Sequence, residues 1–110
     1  KALAHLDLCG AGLGAEAATR LAGALGGCKD FSHLGLGNNQ IGAGGAGSLA
    51  RALAGCTALE HLDMSLNQIG DKGARRVAAV LGRWKALSHL DLGSNLIGAE
   101  GAGRLAGALG

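Results

Sequence analysis

In the stretch Leu87-Ser88-His89-Leu90-Asp91-Leu92-Gly93-Ser94-Asn95-Leu96-Ile97-Gly98, apolar residues fall at the first, fourth, sixth and eleventh places and an Asn at the ninth. The same pattern recurs at a fixed step of 28 residues, with no insertion or deletion: Leu59, Leu62, Met64, Asn67 and Ile69; Phe31, Leu34, Leu36, Asn39 and Ile41; and, more loosely, Leu3, Leu6, Leu8 and Leu13. Within each unit the run from the first to the sixth place alternates apolar and polar residues at period two, as a strand does. The segment after Ile-Gly carries its apolar residues at helical spacing. Each unit therefore reads as strand, turn, helix. In the fourth, the spacing predicts a strand near Ser88 to Leu92 and a helix from Ala99 to Leu109, with Leu105 and Leu109 on the face turned to the strand. Self-similarity at a fixed period of this length is the mark of a solenoid, in which no unit buries its apolar face alone and stacking builds one continuous core.

The repeated Leu-x-x-Leu-x-Leu-x-x-Asn-x-Ile-Gly, with Phe31 and Met64 as apolar replacements, is followed by Gly-Ala and, in the last unit, by Leu105-Ala106-Gly107-Ala108-Leu109. This pattern resembles the leucine-rich repeat family, and within it the ribonuclease-inhibitor-like class, whose long units each contain a helix. The resemblance spans the whole chain. It implies an α/β fold: a right-handed horseshoe segment with parallel strands on the concave face and helices on the convex face, consistent with the handedness of strand-helix-strand crossovers. Residues 1–110 read as a single domain of units 3–30, 31–58, 59–86 and 87–110, the last truncated. Asn39, Asn67 and Asn95 form a structural ladder where strand becomes loop, a place where an Asn side chain satisfies main-chain groups left by the turn. Ala11 stands there in the first unit, so the first turn is expected to be held less well.

Composition narrows the function. A formal net charge of +2, one Trp, one Phe and no Tyr give no clustered basic face with stacking aromatics, so nucleic acid is not an expected partner. Apolar runs are broken well short of a membrane span, and Lys1 leads directly into the first unit without a leader segment, so an intracellular, cytoplasmic protein with no membrane partner is expected. Three cysteines without a Cys-x-x-Cys pair suggest neither a disulfide framework nor a zinc module. Cys28, Cys56 and Trp84 share one repeat position and are expected to be core, whereas Cys9, at a strand end, is the thiol expected to be accessible. Glu16 and Arg20, Asp71 and Arg75, and Glu100 and Arg104 are spaced four apart in the favourable acid-first order, each such pair contributing about 0.2–0.5 kcal/mol on a helix surface. Gly44, Gly45 and Gly47 weaken the second helix by roughly 1 kcal/mol each relative to Ala, so residues 42–51 are expected to be the softest stretch. Gly42-Ala43-Gly44-Gly45-Ala46-Gly47 imitates a dinucleotide fingerprint, but Gly42 and Gly45 are repeat glycines shared with Gly98 and Gly101, and no cofactor is expected.

The two strand positions that point away from the core carry His5, His33, His61 and His89 in one row and Asp7, Gly35, Asp63 and Asp91 in the next. With neighbouring strands about 4.8 Å apart, the imidazoles are expected to form a column beside an interrupted column of carboxylates. An open, solvated His column lacks the closed geometry of a zinc site. No Ser or Cys nucleophile stands near a His and an orienting carboxylate except as the repeat dictates, and an open sheet face does not exclude water, so no catalytic activity is expected.

The resemblance implies recognition of a protein partner across the concave face, with His5, Asp7, His33, His61, Asp63, Leu66, His89 and Asp91 as candidate contacts. Leu66 and Glu60 are its notable departures from the repeat. Two other readings stand beside it. One is a structural building block, excised or engineered, that self-associates through uncapped ends, because the pattern runs to both ends of the sequence without the polar terminal repeats that keep solenoids soluble. The other is a Ran-type GTPase activator, which requires a partner-specific charged loop that the sequence does not show.

Overall fold

A computed structural model of the chain describes residues 4–26 and 30–109, with the side chain of Leu109 outside the description. Expectations for Lys1, Ala2, Leu3, Cys28 and the Leu109 side chain fall outside the described residues. Strands β1 (His5–Asp7), β2 (His33–Gly35), β3 (His61–Asp63) and β4 (His89–Asp91) alternate with helices α1 (Gly14–Leu25), α2 (Gly42–Leu53), α3 (Gly70–Leu81) and α4 (Ala99–Leu109). The strands form one parallel sheet in the order β1-β2-β3-β4. Its register is the repeat itself: His5 faces His33, His33 faces His61 and His61 faces His89. Among the described residues, the helix-to-helix contacts join each helix to the one before and after it, as expected when every unit touches only its neighbours.

The strands are shorter than the period-two pattern predicts, but the ladder between units runs on past them. Ser88 N–H donates to the Glu60 carbonyl at 2.9 Å, Met64 N–H to Asp91 at 2.9 Å and Leu66 N–H to Gly93 at 2.9 Å. The core lies between sheet and helices. Phe31, Leu34, Leu36, Ile41, Leu59, Leu62, Met64 and Ile69 are fully buried there, joined by Cys56 and Trp84. In the outer strands Leu6 and Leu90 are only half-buried, because each has a sheet neighbour on one side alone.

The turn from strand to helix is completed by the following unit. The Asn67 side-chain carbonyl accepts from Asn39 N–H at 2.8 Å and Ile41 N–H at 3.3 Å, and its main-chain carbonyl accepts from Gly42 N–H at 2.8 Å. Its amide donates to the carbonyls of Leu36 and Met64, one in each unit. Asn95 serves Asn67, Ile69 and Gly70 in the same way. Asn39 does so for the first turn, accepting from Leu13 N–H and donating to the Leu8 carbonyl. The first turn is therefore held from the second unit, but with fewer bonds than the next two, as Ala11 suggests: Ala11 N–H donates to the Leu8 carbonyl, whereas Asn39 N–H and Asn67 N–H donate to the Asn of the unit that follows.

Two of the three helix-surface pairs rearrange. Glu16 and Arg20 meet at 3.3 Å on α1. Asp71 instead reaches the start of α4, where its carboxylate accepts from Gly98 N–H at 2.7 Å and Gly101 N–H at 3.0 Å. A carboxylate is favoured at a helix start, which carries the positive end of the dipole and unpaired N–H groups. Arg75 then pairs across the units with Glu100 at 3.1 Å, so the pairing of Glu100 with Arg104 does not form. In α2 the glycines mark close approach: a Cβ at Gly47 would meet the Arg76 side chain, 2.5 Å from its Cδ, and one at Gly45 would come within 3.4 Å of the Ala18 Cβ on α1. Gly42 N–H and Ile41 N–H, which a phosphate at this helix start would need, are committed to Asn67.

Asn67→Ala is expected to lower the unfolding free energy by at least about 2 kcal/mol, since it strands several buried main-chain groups at roughly 1–3 kcal/mol each. Asp71→Ala, which removes a half-buried cap, is expected to cost only about 1 kcal/mol. Urea titration followed by circular dichroism measures both; equal losses would refute the greater weight placed on the Asn.

Candidate functional site

Period two places His5, His33, His61 and His89 on the open side of the sheet, and the parallel register stacks them. Successive ring centroids are 4.9, 5.7 and 5.0 Å apart, with interplanar angles of 15°, 13° and 12°. His33 Nδ1 also lies 2.9 Å from the Ser32 hydroxyl. His5 and His89 are exposed, while His33 and His61 are half-buried between their neighbours. Among the described residues no group of three or more His, Cys, Asp or Glu is arranged to hold a metal ion.

Beside the imidazoles, each Asp does a local task that the alternation pattern does not reveal. Its carboxylate accepts the N–H two residues on: Asp7 from Cys9 at 3.1 Å, Asp63 from Ser65 at 3.0 Å and Asp91 from Gly93 at 2.9 Å. Asp63 also accepts from the Ser65 hydroxyl at 2.7 Å. Gly35 has no carboxylate to offer. In that unit Gly37 N–H donates instead to the Cys9 sulfur at 3.2 Å, while the thiol points toward Asp63 at 3.8 Å. Cys9 thus takes over from the preceding unit the place of the missing carboxylate. The spacing of residues 9, 37, 65 and 93 carried this signal, since Cys9 is the one member of that row with a reactive sulfur.

The absence of a side chain at Gly35 opens a recess of about 210 Å³ in the face, bounded by His5, Asp7, Cys9, His33 and Asp63. A Cβ at Gly35 would come within 2.8 Å of the Asp7 carboxylate. The Cys9 N–H and the Cys9 thiol hold the Asp7 carboxyl below its ordinary pKa, aided by His5. Partial loss of water around the Cys9 thiol, and then the nearby Asp7 carboxylate, push the thiol above its ordinary value, with Asp63 acting in the same direction.

Leu66 is 54% exposed in the loop after β3, where other units carry Gly10, Asn38 and Ser94. Leu96, which the pattern did not single out, is 81% exposed in the loop after β4. Both adopt the left-handed backbone region, with φ of 56° and 60°, a conformation that is uncommon for a non-glycine residue and an outlier for a bulky one. The structure thus gathers His5, Asp7, His33, His61, Asp63, His89 and Asp91 on one face and sets Leu66 in a loop that follows it. Glu60 is exposed just before β3. Trp84 is buried, its indole N–H donating to the Leu53 carbonyl at 2.8 Å.

A family model described as Leucine Rich repeat matches residues 27–50, 55–78 and 86–106, more than half of the chain. No curated protein matches it. Among the described residues no helix is long and apolar enough to cross a membrane.

Asp7→Asn is expected to have two measurable effects. A carboxyl whose folded pKa is depressed contributes stability above its unfolded value, and that contribution is lost as pH falls through the folded one. The variant should therefore lose less stability than the parent chain between neutral pH and pH 3, a range that brackets an ordinary carboxyl pKa of about 3.9. It also removes a group that holds the Cys9 thiol protonated, so alkylation of Cys9 by iodoacetamide near pH 8 should quicken. Mass-spectrometric mapping of the Cys9 peptide reads the rate; an unchanged rate would show that Asp7 does not control the thiol.

Proposed function

The chain belongs to the leucine-rich repeat family, and from that premise we propose that it is a protein-binding module whose concave sheet face recognises its partner. Leucine-rich repeats generally mediate protein binding. We assign the chain to the ribonuclease-inhibitor-like class on its 28-residue unit with a full helix in each. The observation that carries the reading is the outward face itself. A stacked imidazole column and three carboxylates form one surface, a recess opens at Gly35, and Leu66 stands exposed in the adjoining loop.

This face suits binding rather than turnover. Its Asp groups are tied to main-chain N–H groups, and an open sheet does not shut water out. A rigid row of polar groups loses little freedom on association, and a protruding Leu supplies apolar area that the sheet lacks. The recess, with carboxylates on two sides and no Cβ at its floor, suits a side chain that donates hydrogen bonds. We also infer a location inside the cell, where reduced thiols are the default, because three cysteines are an odd number that a disulfide framework would not pair in full.

Site-directed photocrosslinking tests the assignment. A photoreactive residue at position 61 is expected to capture a defined partner from the source cells, while one at position 72, on the helical side, is not. Leu66→Asp should then weaken binding of that purified partner about tenfold. Equal labelling from both positions would remove the case for the sheet face.

A further inference from the structure

Charge is segregated between the two layers. Among the described residues the sheet side carries Asp7, Glu60, Asp63 and Asp91 and no Lys or Arg, whereas all six arginines lie on helices or in the turns that follow them. Three of these, Arg51, Arg76 and Arg83, line one groove of about 460 Å³ between α2 and α3. Arg51 lies in the last turn of α2, Arg76 in the middle of α3 and Arg83 in the turn after it. Ala54, Ala79 and Val80 form the groove's apolar walls, and no carboxylate lines it.

Two of the groove's arginines are departures from the repeat. Arg51 stands where the others have Gly23, Ala79 and Gly107, and Arg83 where the preceding unit has Gly55. Gly47 stands where the neighbouring units have Thr19 and Arg75, and the fourth unit Gly103, and the Arg76 side chain lies directly over the α2 backbone there, its Nη1 within 2.9 Å of where a Cβ would be. Arg20 and Arg75 have carboxylate partners in Glu16 and Glu100. Among the described residues, none of the three groove arginines forms an ion pair. The helix ends beneath them offset the clustered charge only in part: two C-termini contribute about −0.5 each against three full positive charges, leaving roughly +2 in the groove.

We propose that this helical groove is a second binding site, independent of the sheet face, and that it takes an acidic protein segment with at least two carboxylates flanking an apolar side chain. Guanidinium forks match carboxylates in two-point geometry, and the Ala and Val walls accept the apolar group between them. The groove's charge complements an anion, and its composition selects among anionic partners. Single-stranded nucleic acid would require exposed stacking rings, but Trp84 and Phe31 are buried. A membrane surface would require exposed large apolar residues beside the charges, but the two exposed leucines, Leu66 and Leu96, follow the strands on the opposite layer.

Fluorescence anisotropy of the full chain with a labelled peptide of sequence EELEELEE tests the proposal. Binding is expected, and it should weaken as salt rises, because exposed charges are screened within about 8 Å at physiological ionic strength. Arg76→Glu and Arg83→Glu, each confirmed as folded by circular dichroism, should each weaken binding about tenfold, while Arg20→Glu on α1 should leave it unchanged. Amide shifts in NMR should move at Gly47 and Ala79 and stay still at the histidines. Absence of peptide binding, an equal loss from Arg20→Glu, or tighter binding to phosphatidylserine vesicles or a single-stranded oligonucleotide would each overturn the proposal.

Discussion

In each of the first three units the strand-to-helix turn buries main-chain N–H groups that its own residues leave unsatisfied, and a buried unpaired N–H costs as much as a lost hydrogen bond. One Asn of the next unit answers this, taking two N–H groups on its side chain and a third on its main-chain carbonyl, as Asn67 does for Asn39, Ile41 and Gly42. The arrangement requires a neighbour at a fixed step, because a register change of one residue would carry the Asn away from the turn and reverse the faces of the strand. The strict 28-residue period, the in-register sheet and the columns of identical side chains all follow from that one requirement.

Such strictness makes each repeat position a row, so chemistry specific to this chain comes from the rows that are broken. Gly35 breaks the carboxylate row and opens the recess, and Cys9 supplies from the preceding strand the acceptor that Gly37 then lacks. Leu66 breaks a row of small or polar loop residues, at some cost in backbone strain. On the other layer, Arg51 and Arg83 break their rows together, around one groove. Departures that cluster in space are harder to ascribe to drift than scattered ones.

The architecture was legible in the sequence because period two and helical spacing are read within a unit, and the bounds of α4, Ala99–Leu109, fell where the spacing put them. Stacking of the histidines followed as directly, since parallel pairing at a fixed period leaves them no other place. What stayed hidden lies between units. A ladder of Asn residues 28 apart looks the same whether each serves its own turn or its predecessor's, so the support of the first turn by Asn39 was invisible. Spacing of four along a helix suggested Asp71 with Arg75, but that rule counts only one helix, and the unpaired N–H groups of α4 compete for the carboxylate and win it. Glycines in α2 read as weakness from propensity, which does not register how closely Ala18 and Arg76 approach them.

The helix is also finished from its neighbour at the other end. The last carbonyls of any helix lack partners within it, and at the end of α2 the Leu53 carbonyl accepts the indole N–H of Trp84, from the unit after it. With the start of α2 held by Asn67 and its end by Trp84, the helix is fixed against α3 at both ends. Arg83 is adjacent to Trp84 in the chain, so the bond that pins the turn to α2 also sets where that arginine stands relative to Arg51. A groove whose two walls are tied together in this way presents its charges at a fixed separation. A ligand that matches that separation then binds without having to order the site, which is the condition under which a few charged contacts give useful affinity.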